Sequence, residues 1–493
     1  MRPTSRLRFA LAACPLILAT CLTLADNPAT AQAQAQPADG AFTIKPYLQL
    51  GAESSADRLD LLWGTADADA DWRVEYQPSP SGAYQAATAP TYRTVNLQGM
   101  TPHRVYRATM TGLEPGSKFA YRVLKAGERS FESQGQAIKG PDQPYQFVVF
   151  GDIAAGTADQ KPMAFRAYES KPDFLMVTGD IVYDRGRATE YRDRYWPVYN
   201  NTDTPNPSVG VPMMRSVPFV ACPGNHDTAT RDLDRYPDGL AYFYYWDQPL
   251  NGPTGAEGTA LIPKLTSTPD HRRPFVAAAG EAYPRMANFS FDYGNAHWLV
   301  LDANPYVDWM NKDLQSWVER DLADHQSATW RFVSFHQPGF NSAREHFEQQ
   351  QMRTLAPLFE KGNVSVVFNG HVHNYQRSYP IRFQPDKNNV LLPLTNAGIP
   401  RGRLVNGPWT LDKSFDGATD TTPEGVIYII TGAGGQDLYN PEQQDQPDTW
   451  QGFTKKFVSK VHSLTNVEVD GKTLKVRQVT ADGTELDRFT ITK

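Results

Sequence analysis

Polar groups able to bind metal ions stand directly after five short apolar runs of this chain. The groups are Gly151-Asp152, Thr178-Gly179-Asp180, Gly224-Asn225-His226-Asp227, His336, and Asn369-Gly370-His371-Val372-His373. The chain has ten histidines in 493 residues, and four of them stand in these groups. A single Gly-Asp or Gly-His pair more often forms a turn, but five such groups in order are hard to attribute to turns. The pattern therefore predicts a metal site.

The types of ligand indicate which ions this site would take. Carboxylate, amide oxygen and imidazole together suit zinc, manganese or iron rather than calcium. One carboxylate shared by two ions would hold them about 3.5–4 Å apart, the arrangement used for in-line displacement at phosphorus. Tyr183 follows Asp180 closely enough to bind the same ion, and a phenolate ligand in acid requires a strongly Lewis-acidic ion such as Fe(III). An ordinary half-buried tyrosine is the alternative.

The apolar runs before these groups predict the elements that position them. The runs are Phe147–Phe150, Phe174–Val177, Val217–Val220, Phe332–Phe335 and Val364–Phe368. Near-continuous apolar runs are typical of strands buried on both faces, and ligands in open α/β sheets bind beyond the carboxyl ends of the strands. With helix candidates between the runs, residues 145–493 are predicted to form an α/β catalytic domain.

The sequence also predicts the structure of several connecting segments of this domain. Amphipathic spacing predicts one helix near 308–324 and another after Ser342, where Ser342-Ala343-Arg344-Glu345 has the pattern of a capping box. The stretches 249–284 and 387–424, rich in Pro, Gly and Asn, are predicted to be long loops or insertions. Asp470-Gly471 predicts the turn of a hairpin near the end of the chain.

Residues 42–141 show the period of strands and no helical period. Phe119, Tyr121 and Val123 alternate with polar or small residues, which is typical of strands with one buried face. About 100 residues of this kind predict a β-sandwich. Residues 113–116 and the strand after them resemble the late strands of fibronectin type III domains. Because no titratable cluster lies here, a structural cap on the catalytic domain is favoured over a binding module.

Composition and the first residues restrict the cellular context. Three arginines, a short apolar run and Ala31-Gln32-Ala33 predict a signal peptide over residues 1–33, so the protein is expected to be secreted or periplasmic. The net charge is −6, and without a basic tract nothing favours nucleic-acid binding. No later apolar segment is long enough for a membrane span. Removal of the signal would leave Cys222 as the single cysteine, without an internal disulfide. The oligomeric state stays open.

The order of the motifs GD, GDxxY, GNHD, a strand ending in His, and GHVH resembles the purple acid phosphatases within the calcineurin-like metallophosphoesterases. The resemblance implies a four-layer α/β sandwich after a fibronectin III-like domain. It also implies that Fe(III) is held by Asp152, Asp180, Tyr183 and His373. A divalent ion (Zn, Mn or Fe) bridged by Asp180 would be held by Asn225, His336 and His371. The chain departs from the family at three positions. The family has Gly where this chain has Ala154, and usually Glu where it has Gln376. At Glu345, plant-type members often have His.

These observations predict an acid phosphatase that hydrolyses small phosphate monoesters by direct attack of a metal-bound hydroxide. His226 is expected to contact the phosphate or to donate a proton to the leaving alkoxide, and Asp227 to orient His226 or to cap the following turn. By resemblance His346 is a substrate-side histidine; the alternative is a solvated helix residue. A phosphodiesterase or nucleotidase on the same core, and a non-catalytic extracellular binding protein, are the alternative functions. A peptidase is disfavoured because HExxH and GxSxG do not occur.

Overall fold

Strands dominate the described part of the chain, which is a computed structural model covering residues 40–493 except 396, 397 and 399. The predicted signal peptide, residues 1–33, lies outside the described residues. The strands are β1 (Ile44–Gln49), β2 (Leu59–Ala66), β3 (Trp72–Tyr76), β4 (Gln85–Ala86), β5 (Thr91–Val95), β6 (His103–Met110), β7 (Lys118–Lys125), β8 (Glu128–Gln136), β9 (Tyr145–Phe150), β10 (Phe174–Val177), β11 (Phe219–Ala221), β12 (Phe289–Tyr293), β13 (Ala296–Val300), β14 (Trp330–Ser334), β15 (Val366–Asn369), β16 (Tyr375–Ser378), β17 (Ile381–Phe383), β18 (Val390–Leu391), β19 (Arg403–Leu404), β20 (Trp409–Leu411), β21 (Ile427–Thr431), β22 (Thr454–Val458), β23 (Ser463–Asp470), β24 (Thr473–Thr480) and β25 (Glu485–Thr492).

The helices are mostly short and lie between the strands of the larger sheets. The α-helices are α1 (Gln160–Glu169), α2 (Ala188–Glu190), α3 (Trp196–Tyr199), α4 (Asn225–Thr228), α5 (Tyr242–Tyr245), α6 (Pro269–Ala279), α7 (Ala282–Arg285), α8 (Lys312–Asp324) and α9 (Ala356–Lys361). A π-helical turn covers Tyr191–Tyr195, and 3₁₀ turns cover Gln351–Leu355, Pro441–Asp445 and Pro447–Thr449. Across the described residues, no helix is both long and apolar enough to traverse a lipid bilayer.

The first eight strands form two antiparallel four-stranded sheets. Their orders are β1-β2-β6-β5 and β4-β3-β7-β8. The rings of Trp63 on β2 and Trp72 on β3 lie 6.0 Å apart, so the sheets pack face to face through large buried side chains. The two-sheet arrangement predicted for residues 42–141 is therefore present. Its assignment to the fibronectin type III family stays a prediction.

This sandwich packs closely against the rest of the chain. The Tyr47 hydroxyl donates to the Tyr245 carbonyl at 2.6 Å, and the Tyr121 hydroxyl donates to the Arg215 carbonyl at 2.7 Å. One hydrophobic core contains Trp63 of the sandwich together with side chains of β9 and β14. The sandwich therefore shares its core with the sheets that follow.

Two mixed sheets form the rest of the core. The six-stranded sheet has the order β11-β10-β9-β23-β24-β25, in which β9, β10 and β11 run parallel. The seven-stranded sheet has the order β12-β13-β14-β15-β21-β16-β22, in which β13, β14, β15 and β21 run parallel. The carboxyl ends of the parallel strands therefore lie together at one edge of each sheet.

Alternate residues of these strands place the two sheets between two helical layers. Phe147 of β9 packs on Phe332 of β14, with ring centroids 5.7 Å apart, so the sheets face each other. On the opposite faces, Val148 shares a core with α1, and Val333 shares a core with α8 and α9. The result is the helix–sheet–sheet–helix layering that the strand pattern and the resemblance predicted.

The structure confirms two of the predicted connecting segments and corrects others. The helix expected near 308–324 is α8, which Asn311 caps by accepting from the backbone N–H of its first turn. The hairpin at Asp470-Gly471 is confirmed by the pairing of β23 with β24. The loop predicted over 249–284 is wrong in part, because it contains the eleven-residue helix α6.

The capping box predicted at Ser342 is also wrong. The backbone N–H of Ser342 donates to Gln376 Oε1 at 2.8 Å, and its hydroxyl pairs with that of Thr454 at 2.7 Å. Tertiary partners therefore satisfy both groups, and the helical structure begins only at Gln351–Leu355.

Candidate metal centre

The five predicted ligand groups meet where the two central sheets present the carboxyl ends of their parallel strands. Asp152 follows β9, Asp180 follows β10, and Asn225 opens α4 after β11. From the other sheet, His336 follows β14, and the pair His371 and His373 follows β15. Each sheet therefore contributes one side of a common site, as expected for ligands beyond strand ends.

One half of the site is built around Asp152. The Tyr183 hydroxyl donates to Asp152 Oδ1 at 3.0 Å. The Nε2 atom of His373 lies 3.4 Å from the same carboxylate oxygen and 3.3 Å from the Tyr183 hydroxyl. All three side chains are buried. A carboxylate, a phenol and an imidazole at these separations can bind one cation together.

The other half is built around Asp180. The Nε2 atom of His336 lies 3.1 Å from Asp180 Oδ2, and ligand atoms of Asp180, His336 and His371 all lie within 4.8 Å of one another. Among the described residues the buried Asn225 Oδ1 atom has no hydrogen-bond partner, and the His336 Nε2 atom, although close to Asp180, forms no hydrogen bond of acceptable geometry. An unsatisfied buried polar atom is costly, and a cation between these donors would remove the penalty. The donor set therefore fits a metal ion.

The two halves adjoin each other through backbone contacts. The N–H of Ile153 donates to the Asp180 carbonyl at 3.1 Å, and the N–H of His371 donates to Asp152 Oδ2 at 3.0 Å. The Tyr183 and His226 rings lie 4.4 Å apart. Asp180 thus lies next to both halves, and the arrangement fits two neighbouring cations.

The far nitrogens of the site histidines bind backbone carbonyls. Nδ1 of His336 lies 2.7 Å from the Thr178 carbonyl, and Nδ1 of His373 lies 2.7 Å from the Asp437 carbonyl. In the neutral form of each ring, a donor at Nδ1 leaves the lone pair on Nε2, which faces the carboxylates. Such contacts are typical of histidines that bind metals.

The backbone at three ligand positions adopts the left-handed region. The φ angles are +61° at Asp152, +47° at Asp180 and +69° at His371. Residues other than glycine rarely adopt these values, and such conformations persist only where the surroundings enforce them. The neighbouring glycines permit the close packing, since a Cβ on Gly224 would lie 2.1 Å from Asp180 Oδ1.

Burial and neighbouring charges shift the pKa values within the site. Burial raises the pKa of Asp180, but the positive charge of His336 outweighs it and holds this pKa below its usual range. For His336, burial lowers the pKa and the Asp180 carboxylate raises it, with a result of about 9. Burial and the Asp152 charge raise the pKa of the Tyr183 phenol well above its ordinary value. The Asp180 carboxylate is thus anionic, whereas the Tyr183 phenol needs a cation to lose its proton.

The two predicted catalytic histidines contact different parts of this centre. His226 Nε2 lies 3.9 Å from Asp180 Oδ2, and its Nδ1 lies 2.9 Å from the Asp184 carbonyl. The His346 ring is 3.9 Å from the His371 ring and half-buried, in a turn rather than a helix. Burial and the positive charge of His373 lower the pKa of His346 to about 4. Both rings can face a bound substrate.

Asp227 acts on the backbone rather than on the His226 ring. Its carboxylate accepts from the N–H of Gly224 at 2.8 Å and from that of Ile181 at 3.1 Å. These contacts differ from both roles predicted for Asp227, because the carboxylate fixes the preceding turn, which carries Asn225, rather than the His226 ring or the following turn.

Two side chains at the centre were not predicted from the sequence. The amide oxygen of Gln349 lies 3.0 Å from His371 Nε2, and its nitrogen lies 3.1 Å from His346 Nδ1. The Tyr439 ring stacks on that of His373 at 4.0 Å. Neither residue belongs to a motif with ligand spacing, so the sequence carried no signal for them.

A cavity of about 800 Å³ opens beside the centre. Its lining includes Asn225, His226, His346 and His371, together with five arginine or lysine side chains. A polar cavity of this size can hold a small organic ester next to the metal ligands.

The chain is similar to known phosphoesterases. Residues 145–375 match the calcineurin-like phosphoesterase family. Purple acid phosphatase 18 of Arabidopsis thaliana is 35% identical over 65% of this chain and 63% of its own length. A protein of the same plant named probable inactive purple acid phosphatase 1 is 23% identical over 91% of this chain and 69% of its own length.

A solved structure shows the same fold. The purple acid phosphatase PPD1 of yellow lupin superimposes with a TM-score of 0.60 at 17% identity, over 91% of this chain and 74% of that chain. The chain spans about 60–70% of the length of the curated relatives it matches.

Proposed function

We propose that this chain, which belongs to the calcineurin-like phosphoesterases and is a homologue of the purple acid phosphatases, is an exported acid phosphatase that hydrolyses phosphate monoesters at two metal ions. The convergence of two carboxylates, a phenol, an amide and three imidazoles, where the strand ends of the two sheets meet, carries the proposal. The unsatisfied Asn225 Oδ1 and His336 Nε2 atoms support it, because their chemistry matches that of borderline cations.

Each half of the centre would hold one ion. Asp152, Tyr183 and His373 would bind Fe(III), since a phenol of raised pKa is a ligand for a strongly Lewis-acidic ion. Asn225, His336 and His371 would bind a divalent Zn, Mn or Fe, and Asp180 would bridge the pair. When bound, such a pair supplies positive charge for the phosphate and an activated water.

The protein's own side chains would bind the substrate and move the proton. His226 and His346 line the cavity beside the centre, where they can donate to phosphate oxygens or protonate the leaving alkoxide. We assign protonation of the leaving alkoxide to His226, because its Nδ1 donates to the Asp184 carbonyl and this contact fixes the ring. A His226→Gln variant should slow alkyl phosphates far more than p-nitrophenyl phosphate, whose leaving group needs no proton. Equal slowing of both would contradict this role.

A phosphodiesterase or nucleotidase on the same core is the alternative. The cavity of about 800 Å³ leaves room for a second ester substituent, so the volume favours neither function. A non-catalytic binding protein is the remaining alternative, and it would not require the clustered ligands.

The deciding experiment combines metal analysis with two substrates. Purified protein should contain two metal ions and release phosphate from p-nitrophenyl phosphate much faster than it cleaves bis(p-nitrophenyl) phosphate. Asp180→Asn should lose metal and lower the rate by at least about 10³-fold, because it removes the shared ligand and its charge. Asp142→Asn, on an exposed loop, is the matched control. Full activity after chelation, or faster cleavage of the diester, would overturn the proposal.

A further inference from the structure

The cavity beside the metal centre concentrates positive charge in an acidic protein. The whole chain carries a net charge of −6. Its cavity is lined by five basic side chains and two acidic ones. The basic residues are Arg185, Arg231, Arg235, Lys264 and Arg401, and the acidic ones are Asp184 and Asp232. Such a local excess attracts anions beyond the reach of the metal ligands.

Four of the five cations are exposed, whereas Arg231 is buried. Arg185, Arg235, Lys264 and Arg401 are exposed, and none of them forms an ion pair within the part of the chain that the structure describes. Nearby Arg187 differs, since its guanidinium lies 2.7 Å from Asp238. The charge of the four cations is therefore available to a ligand.

One of these cations, Arg185, follows a residue that contacts His226. Asp184, whose carbonyl lies 2.9 Å from His226 Nδ1, directly precedes Arg185. The guanidinium groups of Arg185 and Arg235 lie 5.8 and 5.2 Å from the centroid of the Tyr236 ring. These two unpaired cations therefore lie near one ring and form one wall of the cavity.

We infer that this wall is a second anion subsite and that the preferred substrates carry another phosphate besides the one that is cleaved. The inference rests on the proposed function, because the metal centre must bind the first phosphate. An ester with an uncharged leaving group would leave the wall unpaired. A bisphosphate would form charge-assisted hydrogen bonds with both guanidinium groups, which are suited to phosphate oxygens.

A matched pair of esters tests the subsite. Phosphate release from fructose 1,6-bisphosphate and from fructose 6-phosphate is compared for the metal-loaded enzyme. We expect kcat/KM for the bisphosphate to be about tenfold higher, and the advantage to shrink as salt screens the cations. In the double variant Arg185→Gln/Arg235→Gln the advantage should disappear while the monophosphate rate stays unchanged. Arg273→Gln removes an exposed charge of α6 outside the cavity and should change neither rate.

The outcomes separate the subsite from the hydrolase. Equal kcat/KM values for the two esters, or an advantage that survives in the double variant, would overturn the subsite and leave the phosphatase intact. If neither ester is hydrolysed, the proposed function fails. Titration calorimetry with the same two sugars then decides the subsite. A tenfold tighter Kd for the bisphosphate that is lost in the double variant supports it, and equal Kd values refute it.

Discussion

At the residue scale, the protonation of Tyr183 links the fold to the metal. Its phenol is buried, and both burial and the Asp152 charge raise its pKa. In the absence of a cation the hydroxyl therefore keeps its proton and donates to Asp152 Oδ1 at 3.0 Å. A strongly Lewis-acidic ion can reverse this preference, because it replaces the proton as the partner of the oxygen.

Tyr183→Phe tests whether a tyrosinate binds iron in this protein. We expect the purified wild type to show a broad visible absorption from tyrosinate and Fe(III), and the variant to lose it while the His373 and Asp152 contacts remain. Tyr439→Phe, which alters the ring stacked on His373, should keep the band. A colourless wild type that contains only zinc and is fully active would contradict the iron assignment.

At the scale of the elements, the strand ends were predictable and their surroundings were not. Runs such as Phe174–Val177 identify buried strands, and the polar groups that follow them identify the site. The left-handed backbone at Asp152 and the contact of Gln349 with His371 depend on chain segments remote in sequence. The cap predicted at Ser342 is wrong for the same reason. Its partners, Gln376 and Thr454, are remote in sequence.

The turn between β11 and α4 should tolerate no side chain at Gly224. A Cβ there would lie 2.1 Å from Asp180 Oδ1 and 2.2 Å from the Asp180 backbone nitrogen. Gly224→Ala must therefore displace Asp180 or Asn225, and a shift of about 1 Å at a reacting centre can lower the rate about 100-fold. We expect at least that loss in kcat and a lower metal content by elemental analysis.

Gly452→Ala is the control for this substitution, because a Cβ at Gly452 meets nothing within 4 Å. Its activity and metal content should equal those of the wild type. If Gly224→Ala kept full metal content and full kcat, the close packing of this turn against Asp180 would not matter for the site.

Another predicted effect concerns the β12–β13 hairpin and helix α8. The buried His297 ring, on β13, binds Asp292 Oδ1 at 2.7 Å and Asp321 Oδ2 at 2.9 Å. Burial lowers its pKa, but the two carboxylates outweigh burial and raise it. A raised folded-state pKa adds stability that is fully present below the unfolded pKa of about 6.5 and is lost as the pH rises through the folded pKa.

His297→Gln should therefore destabilise the protein more in acid than in alkali. We expect the free energy of unfolding in urea to fall by about 2 kcal/mol at pH 5.5, the scale of a buried hydrogen bond to a charged group, and by less at pH 9. Asp292 is 65% exposed, so the Asp321 contact contributes the larger share. His103→Gln is the control, because this buried ring contacts the Thr101 carbonyl and the Tyr245 hydroxyl rather than a carboxylate. A loss independent of pH in His297→Gln would contradict the ion pair.

At the scale of the whole molecule, the sandwich and the metal-binding sheets share one hydrophobic core. Trp63 is fully buried within the core that also contains Phe147 and Phe332. Hydrogen bonds such as Tyr47 to Tyr245 cross between the same regions. Residues 40–141 are therefore expected to stabilise the metal centre although none of them lines it.

Trp63→Ala tests this coupling. Removing a buried tryptophan leaves a cavity that lowers stability by about 3–5 kcal/mol. Because the core is continuous, we expect thermal unfolding by circular dichroism and heat inactivation of phosphate release to shift to lower temperature together. Tyr92→Ala, in the same sandwich but 49% exposed, should shift both by far less. An early unfolding step in Trp63→Ala that leaves the inactivation temperature at its wild-type value would mean that the sandwich melts as a separate unit.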